Sequence, residues 1–231
     1  MGPCVYCGCG KVTKEHIVNE SLYHEFFGEP MSFVLQHSSL GEKLNRVDKI
    51  NDVCAVCNNV RLQPYDNAGI ILARSVKGIS RGRERTIPFN LDIVGWLIKT
   101  HCNIIRKYGN TSKISSEIYE CLRRHETVPR EIYKLVLTVF STDHKLFSTR
   151  QGDLPITWKI EPLEFSKPRI MRSYLRMEHF ESFFYLPSDD DYHGFDERAN
   201  TVLRKITPFS LRLSFFDTLP ALRNGEIMIC R

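Results

Sequence analysis

The chain has 231 residues, 42% of them hydrophobic and 26% charged, and a formal net charge of +5. These totals suit a soluble globular protein of one large domain, or of a small domain followed by a medium one, able to bury roughly 70% of its unfolded surface. No run approaches eighteen consecutive apolar residues, which excludes a helical membrane span.

The first twelve residues contain Cys4, Cys7, Gly8 and Gly10 and read as a metal-binding knuckle, with Cys9 as a third thiol able to stand in for Cys7. Because the motif begins at once, no signal peptide is expected. Eight cysteines without such a signal favour metal ligation over disulfides, so a reducing, cytoplasmic location is expected. Residues 12–18 read as a short strand carrying Glu15 and His16, and 19–27 as a helical turn or loop anchored by Leu22, Phe26 and Phe27. Gly28, Pro30 and Gly41 flank a short apolar run, which suggests a hairpin-like connection over 28–50. The second knuckle, Cys54-x2-Cys57, runs into Asn58-Asn59 and a helix that Pro64 limits; another helix begins near Tyr65 and Asp66.

From Arg74 through Lys77, Arg81 and Arg83 to Arg85 the sequence has two glycines and no sustained period, and is expected to form a mobile basic loop. Val94, Leu97, Ile98, His101 and Ile105 then recur at helical spacing and predict a helix over 91–108, with Lys99, Asn103, Arg106 and Lys107 elsewhere on it. A second helix is expected over 115–125, stopped before Pro129. Stretches at 133–142, 154–160, 170–177, 183–186, 209–215 and 226–229 predict strands, and 195–205 a helix after the polar loop at Asp189 to Asp191. His101 reads as a core histidine, and Cys102, Cys121 and Cys230 as buried small hydrophobes.

Two short cysteine pairs suit a closed tetrahedral zinc site, which leaves no open position for chemistry. Chemistry then falls to the acid and imidazole between the pairs and the carboxamides after them. A metal-assisted phosphodiesterase needs a hard divalent cation on oxygen ligands and a histidine of near-neutral pKa to activate water. Charge is distributed to match: residues 1–70 carry a net −2 and residues 71–110 a net +6, acids for a cation and bases for a polyanion. Arg74, Lys77, Arg81, Arg83 and Arg85 are the candidate phosphate contacts, with Lys99, Arg106 and Lys107 behind them; such contacts position nucleic acid without reading sequence. Asp66 reads as a capping or loop residue before a metal ligand.

Cys4-Val-Tyr-Cys7, Thr13-Lys-Glu-His-Ile-Val18 and Val53-Cys-Ala-Val-Cys-Asn-Asn59 resemble the HNH endonuclease family, in its branch with paired zinc knuckles. The likeness covers about the first 70 residues. It implies a ββα-metal finger, a catalytic Mg2+ or Mn2+ and a DNA substrate. Carried onto this chain, it makes His16 the general base, Glu15 and Asn58 ligands of the catalytic cation, and Asn51 the residue that orients His16. Cys4, Cys7, Cys54 and Cys57 would hold the structural zinc. The sequence departs from the family pattern at Asn19, where proline is usual, and in its long 19–50 segment. The expected architecture is therefore α+β: a zinc-stapled HNH module over 1–70, then a helical and finally antiparallel-β accessory region over 71–231. That region reads as a substrate grip, a homodimer interface or a docking surface for a regulatory protein, in antiviral defence or a mobile element. The alternative is a zinc-finger module that binds nucleic acid or protein without cutting.

Overall fold

The computed structural model describes residues 2–27, 35–36, 43–44, 49–80, 86–88, 90–108, 114–129, 132–139, 156–163, 170–177, 180–187, 213–214 and 226–228. Its contacts divide the chain into two units, Met1–Ala73 with Leu91–Val128, and Arg74–Asn90 with Pro129–Arg231.

The first unit begins with Thr13–His16 (β1), Glu20–Phe27 (α1), Leu35–Gln36 (β2), Lys43–Leu44 (β3) and Lys49–Val53 (β4). β1 pairs antiparallel with β4, Thr13 opposite Val53 and Glu15 opposite Ile50. β1 advances two residues there and β4 three, so β4 carries a bulge that breaks the simple alternation of faces. The connection over 28–50 contains the antiparallel pair β2–β3, in line with its glycine and proline punctuation. α1 starts where it does because the Asn19 side chain accepts a hydrogen bond from the Ser21 N–H at 2.9 Å, a capping role that proline could not fill.

After β4, a π-helical turn over Cys57–Arg61 leads into α2, Gln63–Ser80. Pro64 sits in the first turn of α2, where its missing N–H removes no helical bond. The basic loop expected from Arg74 onward is instead helical as far as Ser80. Leu72, Ala73 and Val76 are buried while Arg74 is exposed, and that one-sided burial sustains the helix through Lys77 and Gly78. Arg81, Arg83 and Arg85 lie outside the described residues.

Helix α3, Leu91–Tyr108, has the bounds its spacing predicts, but it is buried on every side from Ile93 to Arg106. α4, Ser116–Arg124, is capped at its start by Ser115, which accepts from the Glu117 N–H, and ends on His125 in the left-handed conformation (φ 57°). Two glycines bring α2 and α3 together: the Trp96 side chain packs on Gly69 and the Tyr65 ring on Gly95. His125 stacks on Tyr65 with ring centroids 4.8 Å apart. α3 and α4 belong to the same unit as the cysteine pairs.

The second unit holds a five-stranded antiparallel sheet in the order β10-β6-β9-β8-β7. Its strands are Lys134–Val139 (β6), Ile156–Leu163 (β7), Ile170–Met177 (β8), Phe180–Pro187 (β9) and Leu213–Ser214 (β10). Leu135, Leu137, Leu175, Met177, Phe180 and Phe184 are buried on it. A separate antiparallel pair joins Thr86–Pro88 (β5) to Glu226–Met228 (β11). The predicted helix over 195–205 and the loop at Asp189 to Asp191 fall outside the described residues. No described helix is long and apolar enough to cross a membrane.

Candidate metal centre and adjoining cavity

The two cysteine pairs converge. The sulfurs of Cys4, Cys7, Cys54 and Cys57 all lie within 4.8 Å of one another, and those of Cys7 and Cys54 are 3.5 Å apart. Four thiolates about a zinc ion at Zn–S of about 2.3 Å stand about 3.8 Å from each other, so this donor set fits a structural zinc. The local backbone explains the convergence. Gly8, at φ 74°, closes the first knuckle with its N–H donated to the Cys4 carbonyl at 2.8 Å. The Cys54 N–H points at the Cys4 sulfur (3.3 Å) and the Cys57 N–H at the Cys54 sulfur (3.5 Å), contacts that favour thiolates. Cys9 is exposed, lies outside this set of four, and turns its sulfur toward the Lys11 carbonyl at 3.8 Å.

Beside the second knuckle opens a cavity of about 410 Å³, lined among others by Glu15, His16, Asn58, Asn59, Asp66 and Lys99. β1 supplies the first two, the turn that follows Cys57 the carboxamides, the first turn of α2 the aspartate and the middle of α3 the lysine. Three of the four residues picked from sequence for the chemistry, Glu15, His16 and Asn58, are thus brought together. Asn51 is not: its side chain on β4 is exposed and does not line the cavity. The asparagine that touches this strand is Asn103 of α3. Its Nδ2 lies 3.4 Å from Glu15 Oε1 and 3.3 Å from the carbonyls of both His16 and Ile17, and its Oδ1 accepts from Arg106 at 2.6 Å.

His16 is partly buried, its Nε2 3.6 Å from Glu20 Oε2 and without a hydrogen bond among the described residues. Burial, reinforced by the positive charge of Lys49, lowers its pKa and keeps the imidazole neutral and able to take a proton at pH 7. Glu15 is only 2% exposed. Lys99 Nζ lies 3.0 Å from its Oε1, and Arg106 reaches its Oε2 at 3.5 Å. The same Lys99 ammonium is 2.7 Å from Asp66 Oδ1. Arg106 also pairs with Asp52 at 3.1 Å, and its guanidinium lies 5.6 and 5.5 Å from the ring centroids of Tyr6 and Tyr119. Burial alone would push the Lys99 pKa down; the Glu15 and Asp66 carboxylates outweigh it and the pKa rises, so the lysine is charged.

These contacts revise three expectations. Asp66 is neither a cap nor a loop residue but part of the cavity wall. Lys99 and Arg106 are buried and paired with the carboxylates of Glu15, Asp66 and Asp52, not held out as surface phosphate contacts. Lys107 is exposed and donates to the Lys49 carbonyl at 3.2 Å. The sequence offered Lys99 and Arg106 as phosphate contacts and gave Asn103 no role, yet the three follow one another at i, i+4 and i+7. A polar stripe at that spacing on an otherwise apolar helix marks a face turned toward something charged.

No family model, curated protein or solved structure matches this chain. The donor chemistry of the cavity bears on a second metal independently of relatives. The Glu15 and Asp66 carboxylates and the Asn58 carboxamide are oxygen donors of the kind Mg2+ and Mn2+ accept and could serve such an ion, with Glu15 and Asp66 already engaged by Lys99.

Proposed function

We propose that this protein is a metal-dependent endonuclease of the HNH type that hydrolyses phosphodiester bonds of DNA. The observation that carries the reading is the meeting of Glu15, His16 and Asn58 in one cavity beside a four-cysteine cluster. The antiparallel pairing of β1 with β4 and the turn and helix that follow support a ββα finger, with α1 and the β2–β3 pair inserted between its strands. Glu15 and Asn58 would hold Mg2+ or Mn2+, which when bound supplies Lewis-acid stabilisation of the charge developing on the scissile phosphate. The neutral His16 imidazole takes a proton from the attacking water as the water oxygen bonds to phosphorus and the phosphorus–oxygen ester bond breaks. Asn103, pinned by Arg106, holds the carbonyls of His16 and Ile17 and so fixes the backbone that aims the imidazole. The four-cysteine centre binds structural zinc and anchors the turn that carries Asn58. Arg74 and Lys77 on α2 contact DNA phosphates, in a protein of antiviral defence or of a mobile element.

The engagement of Glu15 by two buried cations favours a second reading, a zinc-stabilised nucleic-acid or protein binding module in which Glu15 is structural. Incubation of the full chain with plasmid and single-stranded DNA, under Mg2+, Mn2+ or EDTA, separates the two. For the nuclease, cleavage depends on the divalent ion, and His16→Ala lowers it by about 10²–10⁴-fold, the usual contribution of a general base, with zinc content unchanged. Equal cutting by the variant removes His16 from the mechanism, and binding without cutting under every condition selects the second reading.

A further inference from the structure

Outside the first 70 residues, α3 contributes one flexible cation, Lys99, to the cavity lining. Lys99 is 3% exposed, yet its ammonium lies within 3.0 Å of Glu15 and 2.7 Å of Asp66, acids that come from β1 and α2. We propose that Lys99 is a positioning residue that acts as the resident cation of this site: it holds Glu15 and Asp66 together, competes with a divalent ion for them, and thereby sets the metal affinity of the protein from α3. The inference rests on the reading that Glu15 helps to hold a divalent cation.

Three features carry it. Asp66 and Glu15 both line the cavity, so the two acids that Lys99 engages are among the residues a metal ion entering it would meet. An ammonium within hydrogen-bond distance of both acids repels a divalent ion seated on the same oxygens, and the low-dielectric surroundings weaken that repulsion little. The second cation, Arg106, is fixed: its guanidinium is held by Asp52 and Asn103 and lies beside the rings of Tyr6 and Tyr119. Lys99 has a four-carbon stem with rotatable bonds and can withdraw its charge, which a planar guanidinium locked on both sides cannot. Of the two cations that neutralise Glu15, Lys99 is therefore the one that gives way. The structure gives this lysine no exposed surface on which to act as a phosphate contact.

Mn2+ binding to the zinc-loaded full-length protein tests the proposal without reference to catalysis, by calorimetry or by the electron paramagnetic resonance of free Mn2+. Lys99→Met is expected to bind Mn2+ at least about tenfold more tightly than the parent, and Lys99→Arg, which keeps a cation on the two acids, no more tightly than the parent. Glu15→Gln added to Lys99→Met should abolish the gain. If Lys99→Met binds no better than a parent that does bind Mn2+, the competition is wrong while the metal reading of Glu15 stands. If neither protein binds Mn2+, the metal reading fails and the proposal with it. The parent chain supplies a second measurement that needs no folded variant: acetylation of Lys99 by acetic anhydride, read by mass spectrometry, should rise at saturating Mn2+ as the ammonium is displaced. Unchanged labelling of Lys99 under that condition overturns the proposal.

Discussion

His101 shows how one side chain writes a pH dependence into the fold. It is fully buried in α3, and burial drives its pKa down to about 3 from an ordinary 6.5. The unfolded chain therefore takes up a proton that the folded one refuses as pH falls through 6.5. A depressed folded pKa means that the stabilisation is complete above the unfolded value and is lost progressively from pH 6.5 toward 3. Acidification from pH 6.5 to 5 should cost about 2 kcal/mol through this residue alone. Urea unfolding of the parent and of His101→Gln at both pH values measures the difference, and a parent with the same pH slope as the variant would assign the loss elsewhere. Lys99, two residues away and equally buried, behaves oppositely because two carboxylates face it. Burial by itself lowers a cation's pKa, and for Lys99 the two carboxylates outweigh it.

Among the helices, packing of α2 on α3 depends on two residues without side chains. A Cβ on Gly69 would meet the indole of Trp96, and one on Gly95 the ring of Tyr65, both at separations that real Cβ atoms do not show. Alanine raises helix propensity by about 1 kcal/mol over glycine, whereas overpacking a filled core costs about 1–3 kcal/mol. Trp96 is 0% exposed and Tyr65 3%, so neither ring has room to retreat and overpacking wins. Gly69→Ala and Gly95→Ala should each lower the urea midpoint by the equivalent of about 1–2 kcal/mol. Gly10→Ala, where a Cβ meets nothing within 4 Å, should leave it unchanged. The same helices show what a sequence can reveal. The bounds of α3 followed from its apolar spacing, and the cysteine cluster from the two short pairs, because both are local patterns. The continuation of α2 past Arg74 was hidden because charge and glycine suggested a loop, while the burial of Leu72, Ala73 and Val76 that stabilises the helix is tertiary. Asn51 looked like the orienting asparagine by nearness in sequence. Asn103 has the contacts, and it reaches Glu15 across a separation of 88 residues that no spacing rule encodes.

At the scale of the molecule, the four cysteines stitch the N-terminal ten residues to a turn nearly fifty residues later, and only the first of the two units contains them. Tyr6 sits between Cys4 and Cys7, is 5% exposed, and meets Tyr119 edge to face at 5.3 Å while Arg106 lies over its ring. If zinc fills the cluster, its loss would free the knuckle, pull Tyr6 from Arg106 and loosen the cation that holds Glu15. Structural zinc contributes about 10–16 kcal/mol of apparent binding free energy in small domains, as much as the whole stability of a typical protein. Chelation should therefore unfold the first unit rather than soften it. The sheet of β6 to β9 contains none of the four cysteines and buries its own Leu135, Leu175, Phe180 and Phe184. Hydrogen exchange read by mass spectrometry before and after zinc removal should show protection lost in Thr13–His16 and Lys49–Val53 and retained in Ile170–Met177 and Phe180–Pro187. Loss in both sets would mean that the second unit needs the first to fold, and retention in both would show that the cysteine centre does not hold the first unit together.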